Sequence, residues 1–328
     1  MNESEKYLFD LNGYLVVKHL LSAQEAAACL AAADEMQDHI EKNIDVGPLH
    51  LGHSSVRYRF DEKYQCHSYK NQMGGGAQYV IDDFLNASPA FDVLVNHRPT
   101  MAYVEELMPA PFRLASSELR FRHKRNTTHT HMGGPVDVRN RYEFSGREMD
   151  DPGRRKKVTR DFNLLVVRVL YALHDVPVEN GPLCVVPGSH KSNYFSPFDP
   201  REPTKEPGMI PLPMEAGDAL IFTENLRHGG YPNLMDATRK TLHLAFSPAW
   251  IATMSAVHWD GQPYVSPQAW ARYDAQQREL LPPPADAREL EARRLNNENV
   301  RLKEELARLE QSPAPPPPPS LLARLLKS

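Results

Sequence analysis

Cysteine is scarce in this chain. Its 328 residues contain only three, Cys29, Cys66 and Cys184, which are odd in number and far apart in the sequence. No pair has the Cys-x-x-Cys spacing of a thiolate metal site or a redox motif. This argues against a secreted scaffold stapled by disulfides, and it favours a reducing compartment. We predict a cytoplasmic protein.

Long apolar runs and an excess of basic charge are also missing. No stretch approaches the ~20 apolar residues that a membrane-spanning helix needs, and the amino end lacks a basic-then-apolar signal pattern. The 38 basic and 42 acidic residues give a net charge of −4, which argues against a generic nucleic-acid-binding protein. A hydrophobic content of 41% suits one large domain with appendages. We therefore expect no membrane and no nucleic acid among the partners.

The most informative segment lies between residues 168 and 247. The strand-like run ALIFT at 219–223 is followed by His228, a segment rich in turn formers at 229–238, and a second strand-like run that opens with Arg239. This pattern predicts two neighbouring strands joined by a loop. The side chains of His228 and Arg239 would then face one pocket.

Side-chain alternation gives the second of these strands two unlike faces. One face carries Arg239, Thr241, His243 and Ala245, and the other carries Lys240, Leu242, Leu244 and Phe246. The polar face suits the lumen of a barrel, and the apolar face suits an outer layer of helices. Arg168 interrupts another, nearly apolar strand, and a buried guanidinium without a partner is costly. We expect it to form a salt bridge inside the barrel; the alternative is that it binds an acidic substrate or the co-substrate.

These residue types fit a small iron site. A mononuclear non-haem iron held on one face by two imidazoles and a carboxylate keeps its other positions open for a keto acid and oxygen. A fixed cation is then needed for the far carboxylate of the keto acid. His228 suits the first role. Arg239 suits the second, because its planar guanidinium binds a carboxylate with two hydrogen bonds and stays charged when partly buried.

The stretch ALHDVPVENGPLCVVPGSHK at 172–191, with His228 and Arg239 downstream, resembles the phytanoyl-CoA dioxygenase family of iron(II)- and 2-oxoglutarate-dependent oxygenases. The resemblance runs from about residue 8 to residue 284. It implies a double-stranded β-helix, or jelly-roll, barrel with Fe(II) and 2-oxoglutarate as cofactors. It also implies that His228 is the distal iron ligand and that Arg239 anchors 2-oxoglutarate.

The proximal iron ligand departs from the family's usual His-x-Asp. The matching segment holds His129 and His131, with Gly133 where the carboxylate would stand. We prefer His131, because HMGGP resembles a His-x-Gly-Gly stretch of a bacterial branch of the family. Taking His129 as the ligand would put an imidazole in the place of the carboxylate. The third ligand is then a carboxylate from elsewhere, such as Asp137 or Glu143, or an exogenous anion or water, or the site is not catalytic.

We accordingly predict an oxygenase that uses O2 to hydroxylate an unidentified small molecule and releases succinate and CO2. His131 and His228 are its candidate catalytic and metal-binding residues, and Arg239 is its candidate 2-oxoglutarate-binding residue. One alternative is a halogenase, because in related halogenases a small residue such as Gly133 leaves room for chloride on iron. Another is a non-catalytic barrel that binds a small molecule.

Three segments differ in composition. Residues 1–281 are predicted to form a mostly β domain with flanking helices, residues 282–311 a charged helix, and residues 312–328 a Pro-rich tail. Within the helix, Leu295, Leu302 and Leu309 recur every seven residues. The alternatives are a short coiled coil that self-associates through 286–311 and a single solvated helix, because fewer than four heptads are present.

The first domain also carries local signals. We predict a strand at 7–17 and a helix that starts from a capping box at Ser22 and runs to about Met36. The segment 40–78 is expected to be an irregular cover of the pocket mouth. Residues 80–107 are expected to be helical.

Overall fold

A computed structural model describes residues 1–46, 50–51, 57–108, 110–133, 162, 164–192, 194, 196–251 and 265–284, with single positions between 295 and 310. The chain divides into two units, Met1–Pro284 and Ala285–Ser328. The described positions of the second unit are helical, and the side chains of Leu295, Leu302 and Leu306 are about half exposed or more. None of the described helices is long and apolar enough to cross a bilayer.

The first unit contains five α-helices among its described residues. They are α1 (Glu3–Asn12), α2 (Ala23–Asn43), α3 (Arg98–Leu107), α4 (Pro267–Arg272) and α5 (Ala275–Glu279). The capping box at Ser22 starts α2 as predicted, because the Ser22 side chain accepts from the Glu25 N–H and the Glu25 side chain accepts from the Ser22 N–H. The helix continues seven residues beyond Met36.

The strand predicted at 7–17 is wrong in its first half. Asn2 and Glu5 form a capping box that starts α1, and Gly13 ends the helix with a φ of 81°. This left-handed conformation suits glycine at a helix end. Only Tyr14–Val17 is extended.

The described strands form two antiparallel sheets. They are β1 (Tyr14–Val17), β2 (His50–Leu51), β3 (Arg57–Asp61), β4 (Cys66–Met73), β5 (Gly76–Asp82), β6 (Phe112–Arg122), β7 (Thr128–His131), β8 (Val167–Ala172), β9 (Leu183–Val185), β10 (Ile210–Pro211), β11 (Ala219–Thr223), β12 (His228–Gly230) and β13 (Arg239–Pro248). Nine form one sheet in the order β1-β11-β8-β13-β6-β5-β4-β3-β2, and four form the other in the order β10-β9-β12-β7. This mostly β architecture with flanking helices is the one predicted.

Two predicted segments are corrected by the strands. The segment 40–78 is not an irregular cover, because β2 to β5 run through its described part. Gly74 and Gly75 both have positive φ and join β4 to β5 in a two-residue hairpin turn. Residues 80–107 are helical only in part, because they begin with the end of β5 and two 3-10 turns before α3.

The alternation predicted for β13 is confirmed. Leu242, Leu244 and Phe246 belong to the main hydrophobic core, which also contains the buried face of α2. Thr241 and His243 lie on the opposite face. The predicted pairing of β11 with β13 is wrong, because β8 lies between them in the sheet. His228 reaches the lumen instead on the short strand β12 of the second sheet.

Candidate metal centre

Strand pairing places two histidines side by side in the lumen. His131 ends β7 and His228 starts β12, and the antiparallel register sets them directly opposite one another. Their ring centroids are 4.2 Å apart. His228 is buried, and His131 lies at the exposed end of its strand. The register of β7 and β12, which the sequence pattern does not contain, brings the two histidines together.

Backbone carbonyls orient both imidazoles. The Nδ1 of His131 lies 2.8 Å from the carbonyl oxygen of His129, and the Nδ1 of His228 lies 2.7 Å from that of Leu226. A carbonyl oxygen only accepts, so each Nδ1 carries the hydrogen and each Nε2 keeps a free lone pair. His131 keeps exposed surface, but its ring packs against that of His228 in the lumen, and desolvation there lowers the pKa of both rings. In His228, where His131 adds to the effect, the pKa falls to about 3. Both rings are therefore neutral near pH 7, which is the form that binds a metal.

Glu224 supplies a third donor, which is not among the residues predicted from the sequence. It follows β11, and its Oε1 lies 4.0 Å from the Nε2 of His228. One donor atom from each of His131, Glu224 and His228 lies within 4.8 Å of the others. Among the described residues this is the only such group. The carboxylates suggested earlier, Asp137 and Glu143, lie outside the described residues.

The place beside Gly133 is filled by this carboxylate. The N–H of Gly133 donates to the carbonyl oxygen of Glu224 at 2.7 Å. A Cβ at position 133 would lie 2.1 Å from the Cγ of Glu224, so a side chain there must displace Glu224. The expectation of an open place for water or an exogenous anion at Gly133 is therefore wrong.

Arg168 holds Glu224 in place and forms the salt bridge predicted inside the barrel. Its Nε donates to Oε2 of Glu224 at 2.6 Å, and its Nη1 donates to Glu118 at 3.1 Å. Glu118 also accepts from Arg120. Burial alone would raise the pKa of Glu224, but the charge of Arg168 and the two neighbouring imidazoles lower it overall. Glu224 is therefore an anion whose Oε1 is turned towards the histidines.

Arg239 lies in the same pocket, at the start of β13. The pocket holds about 430 Å³ including its open mouth, and it is lined by Arg120, Thr128, His131, Arg168, Leu183, Phe222, Glu224, His228, Gly229, Gly230, Arg239 and His243. The Nη1 of Arg239 donates to the carbonyl oxygen of Gly181 at 2.6 Å, and its Nη2 reaches the hydroxyl of Thr241 at 3.4 Å. Among the residues that the structure describes, none accepts a hydrogen bond from its Nε and no carboxylate pairs with it.

This guanidinium is poorly compensated. Arg239 is 3% exposed, and burial, followed by the charges of Arg122 and Arg120, lowers its pKa well below the usual value. A buried cation in this situation is costly unless an anion joins it. The arrangement suits a ligand that carries a carboxylate.

The other histidines considered from the sequence lie outside the three-donor group. His129 does not line the pocket and lies near the carboxylate of Asp199. His190 is buried against the end of α1, with its Nε2 at 3.2 Å from the carbonyl oxygen of Asp10. His174 accepts from the N–H of Lys240. His243 lines the pocket and contacts the hydroxyl of Thr241.

The sequence has relatives among characterised proteins. The family model described as "Phytanoyl-CoA dioxygenase (PhyH)" matches residues 9–241. The dioxygenase olcK of Penicillium canescens is 29% identical over 225 residues, which are 68% of this chain. The match spans 66% of that relative, just under two thirds of its length.

Solved structures share the fold. HygX from Streptomyces hygroscopicus, determined with nickel and 2-oxoglutarate bound, has a TM-score of 0.54 at 20% identity over 76% of this chain and 88% of its own. SnoK, a non-heme alpha ketoglutarate dependent carbocyclase from nogalamycin biosynthesis, has a TM-score of 0.53 at 18% identity over 82% of this chain and 95% of its own. The predicted fold is confirmed.

Proposed function

The chain belongs to the phytanoyl-CoA dioxygenase family, and from this premise we propose that it is an iron(II)- and 2-oxoglutarate-dependent oxygenase. It hydroxylates a small molecule, consumes O2, and releases succinate and CO2. His131, Glu224 and His228 bind iron, and Arg239 anchors 2-oxoglutarate. One observation carries the proposal: three metal donors within 4.8 Å of one another share a pocket with a buried arginine that has no carboxylate partner among the described residues.

The donor set fits iron(II). Two imidazoles and one carboxylate form the facial triad of non-haem iron oxygenases. His131 and His228 each present a lone pair on Nε2, and Glu224 presents Oε1 while Arg168 holds its Oε2. Bound iron would supply the oxygen activation that amino-acid side chains lack. The protein's own part is to fix three donors on one side of the metal.

The surroundings of Arg239 fit 2-oxoglutarate. A guanidinium and a carboxylate form charge-assisted hydrogen bonds, and two parallel bonds also fix the orientation of the acid. Gly181 holds one amino group of Arg239 through its carbonyl oxygen, which leaves Nε to the ligand. The HygX structure with 2-oxoglutarate and the description of SnoK support this choice of keto acid.

The halogenase alternative loses its main support. It depends on an open place next to Gly133, and Glu224 occupies that place. A protein carboxylate on iron leaves no such opening for chloride at this position. The non-catalytic barrel has no comparable observation in its favour, because the donors are neutral imidazoles and an anionic carboxylate suited to metal binding.

Anaerobic titration of the full chain tests the proposal. Calorimetry with Fe(II), and then with 2-oxoglutarate, should give one equivalent of each. Exposure to O2 with a metabolite extract should then release succinate, and the release should not depend on chloride. A chain that binds neither cofactor would be a non-catalytic barrel, and chloride-dependent product formation would indicate a halogenase. Either result would contradict the proposal.

We also propose self-association through residues 286–311 and a cytoplasmic location. Leu295, Leu302 and Leu306 are spaced seven and four residues apart and are at least 48% exposed, which supports a helix with an apolar stripe. All three cysteines are free and buried, which suits a reducing compartment. Sedimentation of the full chain against a chain ending at residue 284 tests the first proposal. Fractionation of cells that express the tagged chain tests the second.

A further inference from the structure

Strand β5 turns one face to the lumen. Tyr79 and Ile81 belong to the main hydrophobic core. Because side chains alternate along a strand, Val80 and Asp82 lie on the opposite face. Two of the charges that act on Asp82, those of Arg120 and Arg168, belong to residues that line the pocket already described. Asp82 therefore lies close to the lining of this pocket, on the lumen face of the sheet.

Asp82 is a buried acid without a partner. It is 6% exposed, and in the register of the sheet it stands opposite Glu118 of β6. Glu118 accepts hydrogen bonds from two arginines, and Glu224 accepts from Arg168. No described residue forms a hydrogen bond or an ion pair with the carboxyl group of Asp82. Glu118 and Glu224 are paired with arginines, and Asp82 is not.

The charges near Asp82 leave it uncompensated. Arg120 and Arg168 are two cations, and Glu118 and Glu224, which bond to them, are two anions. Asp82 adds one negative charge to this set, and Asp83, the next residue in the chain, adds a further negative charge that acts on it. Burial, and next the charge of Glu118, raises the pKa of Asp82 well above its usual value. An acid kept in such a place costs stability unless a ligand uses it.

Two tyrosines stand beside this acid. Tyr58 of β3 and Tyr69 of β4 pack edge to face with ring centroids 4.9 Å apart, and Tyr58 is 2% exposed. The charge of Asp82 acts on both hydroxyl groups. Neither hydroxyl bonds to any residue that the structure describes. Aromatic faces and an acid together form a common site for an ammonium group.

We propose that Asp82, with Tyr58 and Tyr69, binds a protonated amine, so that the substrate of this pocket is an amine-bearing small molecule. The inference rests on the proposed function in one respect, since it takes the lumen beside the metal centre as the substrate site. An ammonium group fits better than a hydroxyl group, because its positive charge stabilises the ionised form of Asp82 and it donates up to three hydrogen bonds. A neutral alcohol supplies no charge to hold Asp82 in its ionised form.

Two probes of nearly equal shape, one charged and one neutral, show whether binding depends on the charge of the ligand. The full chain is titrated with 2-phenylethylammonium and with 2-phenylethanol, and binding is followed by saturation-transfer NMR. The native chain should bind the ammonium probe about tenfold more tightly. Asp82→Asn keeps the shape of the side chain and should reduce this preference to about twofold or less. Asp236→Asn removes the same charge from an exposed loop and should leave the preference unchanged.

The Asp82 variants are expected to fold. Asp82 forms no described hydrogen bond or ion pair, so the melting temperature of Asp82→Asn should equal or exceed that of the native chain. Asp82→Ser serves as a second variant, and Tyr58→Phe should keep most of the amine preference because the ring remains. Equal binding of the two probes to the native chain, or an amine preference that survives in both Asp82 variants, would overturn the inference.

The inference and the proposed function fail in different ways. Succinate release without any amine preference would leave the oxygenase standing and remove the amine site. An amine preference that depends on Asp82, in a chain that neither binds iron nor releases succinate, would support the amine site and remove the oxygenase.

Discussion

Gly133 and Glu224 share one space beside the two histidines. The N–H of Gly133 bonds to the carbonyl oxygen of Glu224, and the side chain of Glu224 fills the volume that a Cβ at position 133 would need. In the usual pattern of the family the carboxylate comes two residues after the proximal histidine. In the site proposed here the carboxylate of Glu224 precedes His228 by four residues. The position in the sequence differs from that pattern, and the proposed donor types are the same.

Glu224→Ala should remove most of the iron affinity. The variant keeps both imidazoles and loses the anionic donor, so Fe(II) binding should weaken by at least about tenfold, or roughly 1.4 kcal/mol. Anaerobic calorimetry measures this. Glu215→Ala, which removes an exposed carboxylate that pairs with Lys18 outside the three-donor group, is the matched control and should bind iron as the native chain does. Native iron affinity in Glu224→Ala would remove Glu224 from the site.

A carboxylate placed at position 133 should restore part of the iron affinity that Glu224→Ala loses. Gly133→Asp alone should impair iron binding, because its side chain collides with Glu224. The double variant Gly133→Asp, Glu224→Ala should bind iron more tightly than Glu224→Ala, because it restores one carboxylate where two competed. Calorimetry of all three variants measures the coupling between the two positions. Additive losses in the double variant would mean that the two positions do not share one space.

His228→Ala should abolish iron binding and 2-oxoglutarate turnover, whereas His129→Ala should leave measurable iron affinity. His228 stands opposite His131 with a free Nε2, while His129 lies outside the three-donor group and close to Asp199. Metal analysis after dialysis compares the variants, with His131→Ala as the third member of the series. Loss of iron in His129→Ala together with its retention in His131→Ala would reverse the assignment of the proximal ligand.

Arg168→Met should destabilise the fold. The change leaves Glu224 buried without its guanidinium partner and takes one of two partners from Glu118, and breaking a buried pair in this way costs about 3 kcal/mol or more. Urea unfolding measures the free energy of unfolding. Arg201→Met breaks a pair with Asp199 at the surface and should cost much less, because solvent screens the two charges. Equal costs in the two variants would show that the buried network contributes no more than a surface pair.

Local patterns in the sequence predict part of this architecture. The alternation of β13 and the capping box of α2 are short-range signals, and both are found in the structure. The helix α1 is not predicted, because residues 7–17 are interpreted as one strand, whereas the capping box formed by Asn2 and Glu5 favours a helix. The pairing of β11 with β8 depends on the topology of the whole sheet, which no local pattern contains.

The place of Glu224 beside the histidines also depends on tertiary structure. Nothing near Gly133 in the sequence indicates that a loop 91 residues later fills the adjacent space. One signal was present, however. Arg168 in an apolar strand required a carboxylate in the lumen, and Glu224 stands close in sequence to His228. The need of Arg168 for an acidic partner is therefore the feature of the sequence that points to Glu224 as the third donor.

Arg239→Lys should weaken 2-oxoglutarate binding far more than iron binding. Lysine keeps the charge and loses the planar fork, so it cannot bond a carboxylate with two parallel hydrogen bonds. It also cannot bond the carbonyl oxygen of Gly181 and reach the ligand with a second nitrogen, as the guanidinium does. Affinity for 2-oxoglutarate should fall about tenfold or more, which is a loss of roughly 1.4 kcal/mol.

Calorimetry with the iron-loaded variant measures this affinity, and the Fe(II) titration that precedes it provides the internal comparison. Arg201→Lys makes the same exchange at an exposed site and should leave both affinities unchanged. A weakened iron affinity of equal size would indicate that position 239 acts through the metal centre. An unchanged affinity for 2-oxoglutarate would place its distal carboxylate elsewhere in the pocket. Arg120 would then be the next candidate among the arginines that line it, because Arg120 bonds to one carboxylate and Arg168 to two.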